Sequence, residues 1–583
     1  MPNLSLASLS PALRDSLRKA FKRQLCNDPA DPSHGAYITP RYEMADAAAT
    51  GTPNLIAAFL QLTAVQRKAD FGLVDFLNRS LPRIEAAADY LLRAQRPGGR
   101  IDLLECNYDS APDTAFVVRL LAVTYEQTFA GGHGPAAELE SLRRKLELFL
   151  RRAAEGMMTG GVHTPNHRWV VTSALCLVGK LFPDVKVRPV VDAWLAETID
   201  INAEGFYFER SAAIYDAVCD RAMFEIDRCI SHVPAREAAL RNLALNLNFL
   251  NEDGTIETAL SHRQDFGMRT VPRDLGGCYL RAHWLTGDPR FLAAGVRIAE
   301  SPEPSNIDPF HFTAAGETMT AQQQMVHLIF NLNELLLQGR EEIALPPELV
   351  NAGLPPGTVH LADAGFWRTR QGGFTASAFR STAHLLAFRA GDAELCSLQI
   401  AQAYIGQGQF VADTLEPVEG GVTLRYQGRR AGWPPVGYFH PIGHAVARDD
   451  YYTTQRQREM INLSPPGGSV DVAVEQNGLR IEFRPDAILE GVGGQIALDF
   501  IPGGIWECDS ARIIPRPGQV IFLKAGAGRM IYGEDIIEVG PGHYGHGMTA
   551  MRDAKGQGSC VRVLITFLSP YSPVIFLRAK SLA

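Results

Sequence analysis

The chain of 583 residues is 46% hydrophobic and 21% charged, enough apolar material for a large core, which excludes wholesale disorder. Its 56 basic and 64 acidic residues leave a formal net charge of −8, so it lacks the broad cationic field of a general nucleic-acid or membrane-surface binder. The nine cysteines (Cys26, Cys106, Cys176, Cys219, Cys229, Cys278, Cys396, Cys508 and Cys560) stand singly, which argues against a disulfide framework and for a reducing compartment.

Taken from the N-terminus, the sequence shows no apolar core or small-residue cleavage site of a secretory signal. Arg14, Arg18, Lys19, Lys22 and Arg23, interleaved with Leu, Ala and Phe, predict a first surface helix, with a transit peptide as the alternative. No run of about 18 apolar residues exists to span a membrane. Helical spacing continues through residues 1–340, as in Leu81–Arg93 and in the series Met325, Val326, Leu328, Ile329, Leu332, Leu335, Leu336. That second run follows Thr318 and Thr320, both suitable N-caps, and stops at Gly339. Ile201-Asn-Ala-Glu-Gly205 recurs 49 residues later as Leu250-Asn-Glu-Asp-Gly254, and Gly98-Gly99 and Gly160-Gly161 precede it at similar intervals. A period of about 50 residues is one helical hairpin per repeat, stacked as a solenoid or curled into an α/α toroid whose equivalent loops surround one cleft.

Those loops carry the polar clusters. In Gly160-Gly-Val-His-Thr-Pro-Asn-His-Arg-Trp169, Gly-Gly ends one helix and Thr164-Pro165 opens the next. Asn166, His167 and Arg168 then fall in its first turn, side by side as a carboxylate-binding set. The plainer alternative has Asn166 capping and His167 packing under Trp169. The next repeat gives Glu204-Gly-Phe-Tyr-Phe-Glu-Arg-Ser-Ala-Ala-Ile-Tyr215, where Glu209, Arg210 and Tyr215 lead into a helix. A tyrosine there is otherwise a core residue with its hydroxyl tied off. In Cys106–Thr114, Asn107, Asp109 and Asp113 offer acceptors for sugar hydroxyls, and in Leu260–Asp265, His262 and Arg263 offer charge to an anion; helix capping is the alternative for both. No P-loop, HExxH, GxSxG or zinc-finger spacing occurs, and Gly406-Gln-Gly408 is only a fragment of a dinucleotide fingerprint.

Residues 341–358, with four prolines, read as a linker. From residue 359 to 583 the period changes to two, as in Leu479–Phe483, Ile496–Phe500, Gly421–Tyr426 and Val561–Phe567. Turns at Ala390-Gly-Asp392, Gln476-Asn-Gly478 and Pro502-Gly-Gly504 punctuate them, predicting an antiparallel β-sandwich. Trp433-Pro-Pro-Val-Gly-Tyr438-Phe-His440 suits a sugar-stacking rim. No cofactor is expected; His440 with His444, or His543 with His546, are the candidates for a structural metal, without a carboxylate or cysteine at ligand spacing.

Taken together, the Gly-Gly…Asn-His-x-Trp loop, the Gly-Phe-x-x-Glu-x-Ser-x-x-x-Tyr segment, the linker and the C-terminal β-region resemble the heparinase II/III-like polysaccharide lyases, oligoalginate lyases among them. The resemblance implies an N-terminal (α/α) incomplete toroid followed by a C-terminal antiparallel β-sandwich. It also implies β-elimination on a uronic acid, with loss of the proton α to the carboxylate and departure of the 4-linked group. Asn166 and His167 would bind the carboxyl group and stabilise the enolate-like intermediate, and Tyr215 would be base, acid or both. A tyrosine with an ordinary pKa of about 10 needs a cationic or hydrogen-bonding neighbour for this, with Arg210, Arg221 and His167 as candidates. The family also brings a histidine from the sandwich over the cleft, for which His384 is the choice. The missing export signal and the lack of a basic run depart from lyases of highly sulfated polymers. They lead us to expect a cytoplasmic, exolytic enzyme on uronate-containing oligo- or polysaccharides, with no nucleic-acid or membrane partner. The alternatives are a uronyl-type glycoside hydrolase, needing two carboxylates from Asp109, Asp113 and Glu209, and a non-catalytic carbohydrate-binding protein.

Overall fold

A computed structural model describes residues 3–26, 28–130, 137–302, 321–404, 408–428, 437–447, 450–462, 465–487, 489–552 and 554–582. Thr318, Thr320, Gly406 and Trp433 therefore lie outside the described residues. Helices follow one another from the start: α1 (Leu6–Ala20), α2 (Thr52–Lys68), α3 (Val74–Ala94), α4 (Ala111–Tyr125), α5 (Glu140–Thr159), α6 (Pro165–Leu181), α7 (Arg188–Ala196), α8 (Tyr215–Ile230), α9 (Val233–Asn246), α10 (Arg273–Thr286), α11 (Pro289–Glu300) and α12 (Ala321–Leu337). The even-numbered helices form the inner wall of a toroid. Each packs on the next, and α12 returns to α2.

Sequence explains which helices go inside. In α2 every residue from Thr52 to Val65 is buried, and α4 and α6 are nearly as continuous, because they have no polar face to present to water. On α3 the buried set Leu77, Ile84, Ala87, Ala88 and Leu91 follows one helical stripe, so it lies on the outside with its charged face outward. The predicted first helix is likewise one-sided. Leu6, Leu9, Leu13 and Leu17 of α1 are buried, Ser5 and Ser8 cap it reciprocally, and it packs on α2 and α12. The stop at Gly339 has its physical cause: Gly339 takes φ +68, and the N–H groups of Gly339 and Arg340 bond to the carbonyls of Leu336 and Leu335 at 3.1 and 2.9 Å. No helix among the described residues is long and apolar enough to cross a membrane.

The internal repeat is real in three dimensions. Ile201 bridges Tyr207 and Leu250 bridges Ile256, in both cases around a tight turn with a left-handed glycine, Gly205 at φ +108 and Gly254 at φ +82. These turns precede α8 and α10, while a short hairpin (Ile101–Leu103 with Asn107–Ser110) precedes α4. The chain thus enters successive inner helices at the same end of the toroid.

The Pro-rich stretch is more ordered than a linker. Glu342–Ala344 pairs antiparallel with Asn3–Ser5, and Leu345 and Leu354 are buried in the toroid core. Strands begin at Gly357 and build two sheets. The first runs in the order Val520–Phe522, Val561–Leu568, Gly493–Phe500, Ala393–Gln402, Leu386–Ala390, Phe374–Phe379, Phe366–Gln371 and Gly357–Leu361. The second runs from Thr414–Val418 through Gly421–Tyr426, Gly468–Glu475, Gly478–Pro485, Val574–Ser581, Asp535–Gly540, Gly528–Tyr532 and Ile505–Cys508 to Ala511–Ile513. Pairing within them is antiparallel except at the edge, where Val520–Phe522 runs parallel to Arg562–Leu564. The sheets share a core of Trp367, Phe388, Leu398, Phe483, Phe500, Trp506 and Ile565 among others.

The first sheet also docks on the toroid, through buried charge. Arg368, 1% exposed, donates to the carbonyls of Asn248 (2.8 Å) and Leu250 (3.1 Å), to Asn251 Oδ1 (3.1 Å) and to Glu257 Oε1 (2.8 Å). Asp253 and Glu394 are each gripped by both Arg269 and Arg389. From the toroid side, the Glu204 carboxylate accepts the N–H groups of Asp363 and Ala364 at 2.9 and 2.8 Å. The two parts are joined by an ionic seam that fixes their relative position.

Candidate active site

The loops at the N-terminal ends of α4, α6 and α8 meet the loop before α10. Thr164 is the N-cap of α6 and Pro165 its first residue, as the sequence implied. Gly160 ends α5 in an extended conformation rather than a left-handed one; it is glycine because a Cβ would stand 2.4 Å from that of Ala111. In the first turn of α6 the Asn166 N–H has no helical partner. It donates to Glu209 Oε2 at 3.1 Å, and Asn166 Nδ2 donates to the same oxygen at 2.7 Å. The other oxygen, Glu209 Oε1, takes Arg263 Nη1 at 2.6 Å, and the Arg263 guanidinium lies 4.5 Å from the centroid of the Tyr215 ring. One buried carboxylate therefore ties Asn166 to Arg263, and Arg263 to Tyr215.

His167 follows on the same turn, buried against Phe116 and His163, with ring centroids 6.2 and 4.8 Å away. Burial, reinforced by His163 and Arg263 and opposed by Asp113, pushes its pKa down to about 4, so the imidazole is neutral near pH 7. Its Nδ1 and the Oδ1 of Asn166 are buried and meet no partner among the described residues. Two such orphans in one helical turn are uncommon in a folded protein.

Asp265, fully buried, holds the two loops together: it accepts from the hydroxyls of Ser211 (2.8 Å) and Ser261 (2.5 Å) and from the N–H of Ala213 (3.1 Å). Ser211 in turn accepts the Tyr215 N–H at 3.1 Å. Sequence reading missed Asp265 and Ser211, although both lie inside the segments it singled out; the signal was two polar loops of equivalent position that had to be fastened to each other. From the sandwich, His384 is buried with its ring 5.9 Å from that of Phe266, in the same loop as Arg263, and its Nδ1 is 2.8 Å from Ser397 Oγ. The sandwich thus packs a histidine against the toroid loop that carries Arg263.

Other candidates are engaged elsewhere. Arg168 points away and is held by Glu197 and Asp200, both at 2.9 Å, while stacking on Trp169. Arg210, at φ +49, turns toward the sandwich and donates to the carbonyls of Asp363 and Ala364. Arg221 faces Asp274 and stacks on Phe330. The cation beside Tyr215 is therefore Arg263, and neither Arg210 nor Arg221 serves there. Asn107 donates to Asp113 at 2.8 Å, and Asp113 also takes the Ser110 hydroxyl, so both are spent on the start of α4. His262 is largely open to solvent, with its pKa lowered by partial desolvation and by Arg210. Tyr438 and His440 sit on a separate exposed hairpin, Gly437–Phe439 with Met460–Asn462. His543 stacks on Tyr571 and bonds Thr566 O, and His546 bonds Gly494 O. Among the described residues no group of three His, Cys, Asp or Glu is arranged to hold a metal ion.

No family model matches the sequence, and no curated protein does. Solved structures do. A heparinase III with methylated lysines aligns with a TM-score of 0.50 at 9% identity, covering 98% of this chain and 84% of that one. A heparan sulfate lyase mutant from Pedobacter heparinus gives 0.49 at 10%, covering 98% and 88%. A chondroitin AC lyase from Streptomyces coelicolor gives 0.43 at 13%, covering 98% and 79%. The first of these defines the class of fold: an α/α toroid followed by a β-sandwich, the architecture of a polysaccharide lyase.

Proposed function

We propose that the protein is a lyase that cleaves a uronate-containing oligo- or polysaccharide by β-elimination, working from chain ends and leaving a C4–C5 unsaturated uronide. The observation that carries this reading is the linked set Asn166, Glu209, Arg263 and Tyr215, with His167 alongside. The carbon α to a carboxylate is a weak acid, so charge developing on the carboxylate must be stabilised before a proton can leave. In the proposed reaction neutral His167 donates to the carboxyl group from its unpartnered Nδ1, the unpartnered Oδ1 of Asn166 accepts from a sugar hydroxyl beside it, and Arg263 supplies positive charge. Tyr215 takes the α-proton, returns one to the departing oxygen, or does both. His384 contacts the sugar from the sandwich side. A positioned proton-transfer group contributes about 10²- to 10⁴-fold, and charge stabilisation at least as much.

Hydrolysis finds less support, because each candidate carboxylate is already committed: Asp109 to Arg100 at 2.6 Å, Asp113 to Asn107 and Ser110, and Glu209 to Asn166 and Arg263. Incubation with a panel of uronate glycans distinguishes the two. An ultraviolet-absorbing unsaturated product is expected; new reducing ends without that chromophore would establish a hydrolase. A product profile of single unsaturated residues from the first minutes is expected for attack at chain ends, and a ladder of sizes would refute it.

A further inference from the structure

Beneath the loop cluster the bore of the toroid contains a cavity of about 200 Å³ between α4, α8, α10 and α12. Phe116, whose other edge meets His167, forms its upper wall. Val218 and Arg221 line it one and two turns beyond Tyr215, so it lies roughly 5 to 10 Å further along the axis of α8. Leu120, Phe224 and Phe330 complete largely apolar walls.

The charges that face this cavity are matched, with one exception. Arg221 meets Asp274 at 3.5 Å, Arg281 meets Glu334 at 2.7 Å, and Glu225 is paired by Arg228 at 2.6 Å as well as by Arg281. Arg119, 7% exposed, is different: its Nε and Nη2 are buried and meet no acceptor among the described residues. Burial, together with repulsion from Arg221, lowers its pKa to about 10, which still leaves it charged near neutral pH. A buried guanidinium with two unused donors is unfavourable unless something enters to accept from them. Whatever enters must also cover apolar walls, which a hydroxyl-covered sugar or a bare inorganic anion does not do.

We propose that this cavity is a binding site for a small monocarboxylate with an apolar ring or chain, whose oxygens accept from Arg119 while its body packs on Phe116, Leu120 and Phe330. The site is separate from the linked set around Tyr215 and does not rest on the lyase reading. Calorimetric titration of the full chain with benzoate and cyclohexanecarboxylate is expected to saturate one site per chain below about 10 mM. Benzyl alcohol, which has the ring without the charge, and sodium sulfate, which has the charge without the ring, are expected not to bind. Arg119→Met should weaken benzoate binding by about tenfold or more. No saturation, equal affinity in Arg119→Met, or equal binding of sulfate would overturn the proposal. Should Arg119→Met fail to fold, Leu120→Trp fills the cavity with Arg119 left in place; it should abolish binding, and undiminished affinity there would refute the site.

Discussion

Arg263 lies with its guanidinium 4.5 Å from the centroid of the Tyr215 ring while giving its Nη1 to Glu209 at 2.6 Å. The arginine is thereby fixed by a buried anion on one side and presents its remaining charge to the ring and to whatever lies before it. A lysine offers no planar fork to share between carboxylate and ring. Arg263→Lys should therefore lower kcat/KM by about 10²-fold, and Arg263→Met by about 10³-fold, measured by the rate of unsaturated product formation.

Tyr215→Phe keeps the ring, the arginine stack and the start of α8, and removes only the hydroxyl. Turnover should be abolished while glycan binding, followed by calorimetry, is largely retained. An active Tyr215→Phe would show that the proton is handled by another group.

Glu209→Gln tests the connection between Asn166 and Arg263. It leaves the shape intact and removes the charge that both share. The expected result is a fall of about 10- to 10²-fold in kcat together with a loss of about 1–3 kcal/mol of stability, read from steady-state kinetics and urea unfolding of the same preparation.

The neutral state of His167 gives folding stability a pH dependence. Its pKa is about 4 when folded against an ordinary 6.5. Between these values the unfolded chain takes up a proton that the folded one refuses. The stability present above about 6.5 is lost as pH falls toward 4, by up to about 3 kcal/mol. Asp216, whose burial raises its pKa to about 6, acts in the opposite sense over part of this range. The comparison is therefore between wild type and His167→Gln: denaturant unfolding at several pH values should show the variant losing less stability on acidification.

Arg368 sits at the centre of the seam between toroid and sandwich. Arg368→Met leaves Glu257 and the carbonyls of Asn248 and Leu250 without their donor, which should cost about 3–5 kcal/mol. Because the same seam holds His384 over the toroid loop, activity should fall with stability. Thermal unfolding and assay at 10 °C below the variant's own midpoint would separate the two effects.

The toroid was legible in sequence because two inner helices, α8 and α10, are preceded by loops with the same backbone problem, solved by a glycine at Gly205 and again at Gly254. The candidates Asn166, His167 and Tyr215 were legible because each falls in the first turn of an inner helix. Which arginine accompanies them was not legible. Arg168 is one residue from His167, but one residue on a helix is a rotation of about 100°, which turns it toward Glu197 and Asp200. Arg210 is only five residues from Tyr215, yet a left-handed backbone at that position directs it to the sandwich. Arg263 arrives from a different repeat, and only the pairing of the two loops through Asp265 brings it in. The order in residues 341–358 was also hidden, since prolines mark a break in helix and give no sign of a strand partner more than 300 positions away.

That partner is the pair of strands Asn3–Ser5 and Glu342–Ala344. It clasps the beginning of the toroid to the point where the chain leaves it, across about 340 intervening positions. During synthesis the first strand must wait, unpaired, until the last helix of the ring has been made. The clasp is then among the latest native contacts to form. Deleting Asn3–Ser5 should accordingly act mainly on how fast the finished ring comes apart, with little effect on how fast it assembles.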